Sequence, residues 1–230
     1  MQNKKFKIQV ANATHLIYAE EICRLMEESA RIRGTGIAKR SPDYIKEKMM
    51  EGKAVVAIYE DKIAGFCYIE SWGHGKFAAN SGLIVAPEYR KSGIARSLKQ
   101  KTFDLSRKKF PEAKLFGITT SLAVMKINSN LGYRPVTFSE LTDDDEFWKG
   151  CSSCPNYDIL MRNQRKMCLC TAMLYDPKNK NQKFDFLKKL KVLERLSHIK
   201  ETIFLKVQQV TNGIKENGNK DTNGDKDIQP

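Results

Sequence analysis

The chain has 230 residues, 41% of them apolar and 29% charged, which is enough apolar material to bury a core of ordinary size and excludes a wholly disordered protein. The length accommodates one domain with an appendage rather than two full domains, and no apolar run reaches the roughly 20 residues of a membrane span. Forty Lys and Arg against 27 Asp and Glu leave a net charge of +13, so anionic partners are expected, with nucleic acid, anionic lipid and phosphorylated cofactors all qualifying.

The start is basic but lacks the apolar stretch and small-residue cleavage site of a secretory signal, so the expected compartment is the cytoplasm. Residues 5–12 alternate like a strand. From Thr14 an acidic helical stretch follows, with Leu16, Ala19, Ile22, Cys23 and Met26 at helical spacing. Ser41 as N-cap, Pro42 at the first helical position and Gly52 as a stop predict a second helix. Residues 54–60 and 63–71 form a hairpin about Asp61-Lys62, and 77–87 a third strand after a looser turn at 72–76. A helix over 93–109 sets Ile94, Leu98, Phe103 and Leu105 on one side and its Arg and Lys residues on the other. Strand, helix and strand follow at 113–120, 121–132 and 133–138, which makes the whole a mixed α/β domain.

The core of that domain spans 1–140. A cysteine-rich extension at 141–177, with two strands, completes it. An amphipathic helix at 178–211 aligns Phe186, Leu190, Leu193, Leu196, Ile203 and Val207 on one seam, for packing on the domain or on a second copy in a homodimer, and 212–230 has the composition of a disordered tail.

The segment 83–98, LIVAPEYRKSGIARSL, runs from an apolar strand through a basic turn into a helix. Unpaired N–H groups at the helix start, the helix dipole and Gly93, which admits close approach, suit an anion such as a diphosphate. Arg90, Lys91 and Arg96 add charge there, and Arg107, Lys108 and Lys109 at the far end offer a place for a peripheral phosphate. Cys151-x-x-Cys154 and Cys168-x-Cys170 supply four thiolates for one structural Zn2+, or else two pairs of packing or redox thiols.

RKSGIA after V-x-P-x-x resembles the acyl-CoA-binding motif of the GNAT N-acyltransferases. The resemblance implies the GNAT fold over residues 5–140 and acetyl-CoA or another acyl-CoA as the donor. CoA would lie along Ile84 and Val85 and on the loop Arg90, Lys91, Ser92, Gly93, Ile94, Ala95 and Arg96. Its pantetheine arm would lie between two splayed strands, 83–87 and 115–120, with a main-chain N–H near Val85 polarising the thioester. Within the family, GIAKRSPDYIKEKM, LFGITTSLAVMKINSNLGYRPV and Asn163-Gln164-Arg165-Lys166 resemble the acyltransferase domain of bacterial N-acetylglutamate synthase, here in a short form without its amino-acid-kinase domain. That implies a small amino-acid substrate, glutamate first, in arginine biosynthesis, bound by Arg40, Ser41, Thr119 and Arg165. A longer donor such as succinyl-CoA, a polyamine or peptide acceptor, and a catalytically inert scaffold stay open.

Proton-transfer residues depart from the family pattern. The family's acidic position falls on Ala79, which leaves Glu70 and His74 as titratable candidates, with a solvated strand-end carboxylate and a plain turn histidine as the alternatives. The family's Tyr acid falls on Asn128, which can orient a thiol but not titrate, and Tyr133 is an alternative. Under this reading nucleic acid is not an expected partner.

Overall fold

The computed structural model describes residues 5–33 and 39–179. The expected amphipathic helix beyond Asn179, the tail of 212–230 and the Gly36-Ile37 part of the lead-in lie outside the described residues.

The first strand, β1 (Lys7–Val10), is followed by a 3-10 turn over Ala13–Tyr18 and then α1 (Ala19–Arg33). Asn12, not Thr14, caps this run, because its side chain accepts the Thr14 N–H. Ser41 and Pro42 start α2 (Pro42–Met50) as their chemistry predicts, Ser41 Oγ accepting the Tyr44 N–H at 3.2 Å. Strands β2 (Ala54–Tyr59) and β3 (Lys62–Trp72) form the hairpin one residue earlier than expected. Tyr59 pairs with Lys62, and Glu60 and Asp61 make the turn with φ of 46° and 58°. Next come β4 (Phe77–Val85), α3 (Ile94–Lys109), β5 (Lys114–Thr119), α4 (Leu122–Asn130) and β6 (Arg134–Val136).

The cysteine-rich segment differs from its expected two strands. It holds two short helices, α5 (Asp145–Lys149) and α6 (Tyr157–Arg162), and one strand, β7 (Thr171–Tyr175). Asp144 caps α5, and Arg162 closes on Asp158 one turn back at 2.8 Å, so the polar residues of this stretch serve helix ends and turns.

The seven strands of the described residues lie in one sheet ordered β1-β2-β3-β4-β5-β7-β6, so β7 enters between β5 and β6. Only β4 and β5 are parallel, and their pairing ends at Ala79 and Phe116. Beyond that point β4 stays with β3 as far as Val85, while β5 stays with β7 as far as Thr119. The sheet therefore splits down its middle. Adjacent residues of β3 identify its two faces: Cys67 lies toward Lys99 and Thr102 of α3, and Tyr68 toward Arg40 and Met26 on the α1–α2 side.

Candidate active site

The split between β4 and β5 opens a cavity of about 220 Å³ lined from both faces of the sheet. Lys99 and Asn128 reach it from α3 and α4. Arg40 and Tyr68 reach it from the α1–α2 side, and the segment 150–157 closes it from β5's flank. On that flank Phe116, Trp72, Phe147 and Trp148 stack edge to face into a rigid apolar wall.

β4 carries a bulge at the cavity. Phe66 pairs with Ile84 but Tyr68 with Ser81, so Gly82 and Leu83 together stand opposite Cys67. Gly82 has φ +62°, and a Cβ there would come within 2.4 Å of the Tyr68 ring, so only glycine fits. A bulge leaves main-chain groups out of the ladder, and here it turns them toward the split.

At the end of β4, Gly93 adopts φ +88° as the N-cap of α3, and a Cβ built on it meets nothing within 4 Å. The cradle is open. The N–H groups of Arg96 and Ser97 both bond Gly93 O, and those before them in the first turn precede the ladder, so they face the open side. Arg90 bends back to Val85 O at 3.3 Å, Ser92 Oγ bonds Tyr89 O at 2.5 Å, and Lys91 and Arg96 are exposed beside the turn, while Ile84 and Ile94 are buried beneath it. Ala95 is half-buried. The far end of α3 is different from expectation: Arg107 spends its guanidinium on Phe110 O, Ala113 O and Pro111 O as a helix C-cap, and Lys109 bonds Glu51 O. Both are drawn onto main-chain carbonyls, while Lys108, the third basic residue expected there, is exposed.

Three side-chain atoms are buried without a hydrogen-bond partner among the described residues: Glu70 Oε2, Asn128 Oδ1 and Asn156 Nδ2. Asn128 and Asn156 line the cavity, and Glu70 stands directly across from Ala79, which also lines it. Each such orphan costs about 1–3 kcal/mol, so the two that line the cavity, Asn128 and Asn156, mark a place prepared for something else to bind, while Glu70 is not itself a lining residue.

Glu70 is half-buried on β3, with Oε1 3.2 Å from Lys48 Nζ. Burial pushes its carboxyl up to about 7, held back by Arg40 and the Ser71 N–H. Lys48 divides its single charge among Glu47, Glu51 and Glu70, which limits what it returns to any one of them. Asn128 is 1% exposed, its amide nitrogen 3.8 Å from Met173 Sδ. Arg40 donates through Nε to Tyr68 OH at 3.0 Å and through Nη1 to Lys39 O at 3.2 Å, and lies over the Tyr44 ring at 4.9 Å, which leaves the Nη2 side of its fork for the cavity it lines. Thr119 lines the cavity at the end of β5, its Oγ1 accepting the Ser121 N–H at 3.0 Å.

Other expected site residues are placed elsewhere. His74 is exposed at the tip of the β3–β4 turn with φ 53° and is not a lining residue, so its place is that of a turn residue. Ser41 serves as the α2 cap and does not line the cavity. Arg165 is ion-paired with Asp145 and lies off the cavity, so it does not converge with Arg40. Tyr133, buried behind the cavity, donates to Asn80 Oδ1 at 3.2 Å, and burial raises its pKa further.

All four clustered cysteines do come together, and all line the cavity. Burial first, then the neighbouring cysteines, pushes the Cys151 thiol up to about 11 and the Cys170 thiol up to about 12. Among the described residues no group of three or more His, Cys, Asp or Glu side chains is placed to hold a metal ion. The Zn2+ expected from the spacing is not supported: the four are free cysteines that form one wall of the cavity.

Sequence reasoning missed Tyr68, Asn156 and Lys99. Lys99 was assigned to the solvated side of its helix, yet it is 2% exposed. The signal was the i, i+3, i+7 stripe of Lys99, Thr102 and Ser106, all three buried, which is polar yet lies on the inner face.

Residues 20–122, a little under half of the chain, match the model of the acetyltransferase (GNAT) family. Over residues 20–122 the chain is therefore similar to the GNAT acyltransferases, and its mixed seven-stranded sheet with helices is consistent with that family's fold. Among solved structures, the N-acetylglutamate synthase of Neisseria gonorrhoeae, complexed with coenzyme A and N-acetyl-glutamate, is similar at 14% identity with a TM-score of 0.54 over 75% of this chain. This chain spans only 35% of that synthase. Rv2747 of Mycobacterium tuberculosis, solved with CoA, is 15% identical with a TM-score of 0.53, covering 74% of this chain and 98% of its own. yncA of Salmonella typhimurium, solved with acetyl-CoA, is 13% identical with a TM-score of 0.52, covering 75% and 94%. No curated protein sequence matches the chain. No helix among the described residues is long and apolar enough to cross a membrane.

Proposed function

We propose that this protein transfers the acetyl group of acetyl-CoA to the α-amino group of a small amino acid, glutamate first, as in the opening step of arginine biosynthesis. The observation that carries the reading is a cavity lined from both faces of the sheet, with the Gly93 turn beyond the end of β4 and Arg40 on the opposite face. The cradle and the split fit a CoA thioester, which when bound supplies the activated acyl group.

On the acceptor side, Arg40 takes a carboxylate through its planar fork and the unpartnered Nδ2 of Asn156 takes a second oxygen, in the place the sequence had assigned to Arg165. Glu70, pushed up to about 7, holds a proton poorly enough above neutrality to accept one from the acceptor's ammonium group, directly or through water. Main-chain N–H groups freed by the bulge at Gly82 and Leu83 stabilise negative charge on the acyl oxygen. The acidic run at 142–146, the one cluster suited to a polyamine, is otherwise engaged: Asp144 caps α5 and accepts the Gly73 N–H, and Asp145 pairs with Arg165. An amino-acid acceptor is therefore favoured.

The test is mass-spectrometric detection of acylated product, with acetyl-CoA and succinyl-CoA each offered against amino acids, polyamines and a short peptide. Turnover with glutamate is the expected result, and Arg40→Ala raises the KM for that acceptor at least tenfold with CoA affinity unchanged. Turnover only with polyamine or peptide, or silence across the panel with CoA still binding, overturns the assignment; silence with CoA bound identifies an inert scaffold.

A further inference from the structure

Lys99 is a buried cation without an ion pair among the described residues. It is 2% exposed, and its one hydrogen bond runs from Nζ to Asn80 O at 3.3 Å. The groups around it are neutral: Cys67 from β3, Thr102 and Ser106 from its own helix, and the Tyr133 ring at 5.8 Å from the far side. Asn80 is held in the same set, donating to Ser106 Oγ at 2.6 Å. A lysine in such a place costs stability, and nothing in the packing of α3 requires one.

Its position is informative. Asn80 is the first residue of β4 past the end of the β4–β5 pairing, so Lys99 Nζ stands at the apex of the split. Lys99, Asn80, Gly117 and Asn128 all line the cavity there, on the α3–α4 side. From Val85, beside the Gly93 cradle, back to Asn80 is roughly 17 Å of extended strand, comparable with an extended pantetheine arm. A CoA anchored by its diphosphate at the cradle thus brings its sulfur to the apex, between Lys99 and Asn128.

Resting on the CoA reading above, we propose that Lys99 is a catalytic residue whose ammonium group holds the departing CoA sulfur and gives it a proton, with Asn128 Oδ1 accepting the resulting S–H. The step balances: the acceptor nitrogen forms a bond to the acyl carbon, the C–S bond breaks, and its electron pair goes to sulfur. Sulfur takes a proton from Lys99 Nζ, and the neutral Lys99 amine regains one from solvent, to which the acceptor nitrogen's proton passes by way of Glu70. Burial lowers the proton affinity of Lys99, which makes its ammonium a stronger acid and suits it to a thiolate whose own pKa is about 8.5 in water. The titratable position that the family resemblance implies, occupied here by Asn128, is thereby covered from the neighbouring helix.

The experiment compares binding of CoA and desulfo-CoA by calorimetry at pH 6 to 9, for wild type, Lys99→Met and Lys99→Gln, and needs no acceptor. Wild type is expected to prefer CoA over desulfo-CoA by at least tenfold at pH 9, with a smaller preference at pH 6. Both variants lose that preference while binding desulfo-CoA as wild type does; a merely structural lysine would weaken both ligands together. A wild type with no preference overturns the proposal without any variant, as does a preference that survives in either one. Failure of wild type to bind either ligand sinks the CoA reading itself and is distinct from both outcomes.

Discussion

Glu70 shows how a single side chain acquires chemistry from its surroundings. Its sequence position, the end of an apolar strand, is compatible with a solvated carboxylate, but the chain places it across from Ala79 with one oxygen unpartnered and pushes its pKa up to about 7. Above that value it is a ready base. We expect kcat/KM for the acceptor to rise with pH through a limb near 7, and Glu70→Gln to abolish that limb and lower the rate by about 10²- to 10⁴-fold. The same shift acts on stability. A carboxyl that holds its proton more tightly folded than unfolded makes the fold less stable as pH rises from 4.5 to about 7. Denaturation series should therefore show wild type losing stability relative to Glu70→Gln across that window; parallel curves would contradict the assignment. Lys99 is the opposite case, a charge that helix periodicity assigns to solvent and that the split sheet buries.

At the scale of elements, the capping and turn chemistry was legible. Ser41-Pro42 opens α2, where the Ser41 hydroxyl satisfies an N–H that the helix itself cannot, and Gly93 precedes α3 in the left-handed conformation that glycine allows. The bulge in β4 was not. It depends on two residues opposing Cys67 across a strand, a relation that exists only once β3 and β4 have paired. Gly82→Ala tests it directly. The new Cβ meets the Tyr68 ring and Met26 Cε at 2.4 and 2.9 Å and the backbone is held at φ +62°, so a loss of more than about 2 kcal/mol is expected in urea unfolding. Acyl transfer should fall beyond what the lost stability explains, since the bulge also aims the main-chain donors. An alanine tolerated at full activity would show that the bulge is not needed.

At the scale of the molecule, the sheet of the described residues is two half-sheets, which pair with each other only where Phe77–Ala79 meet Lys114–Phe116. A ligand lying in the split contacts both halves. CoA at a hundred times its Kd should stabilise the protein by about 2.7 kcal/mol. In hydrogen exchange it should protect amides of β4 beyond Ala79 and of β5 beyond Phe116 together. Protection confined to the Gly93 turn would mean that the arm does not enter the split. The excess of basic residues is consistent with an anionic partner at this scale, and the exposed Lys91 and Arg96 place part of it beside the cradle.

What the amino-acid sequence determined by itself was whatever depends on neighbours along the chain: the order of strands and helices to β6, the Ser41-Pro42 start of α2, and the glycine turn before α3 that carries the family resemblance. The tertiary structure alone decided which side chains share one cavity. It put β7 between β5 and β6, drew Arg165 to Asp145, gathered four cysteines on one wall of the cavity, and brought Lys99, Asn128 and Asn156 to the split. The reason is physical. Helix and strand periodicity report which face of an element is apolar, whereas a buried polar group is placed by partners distant in sequence, and its energetic cost appears only when those partners have closed around it.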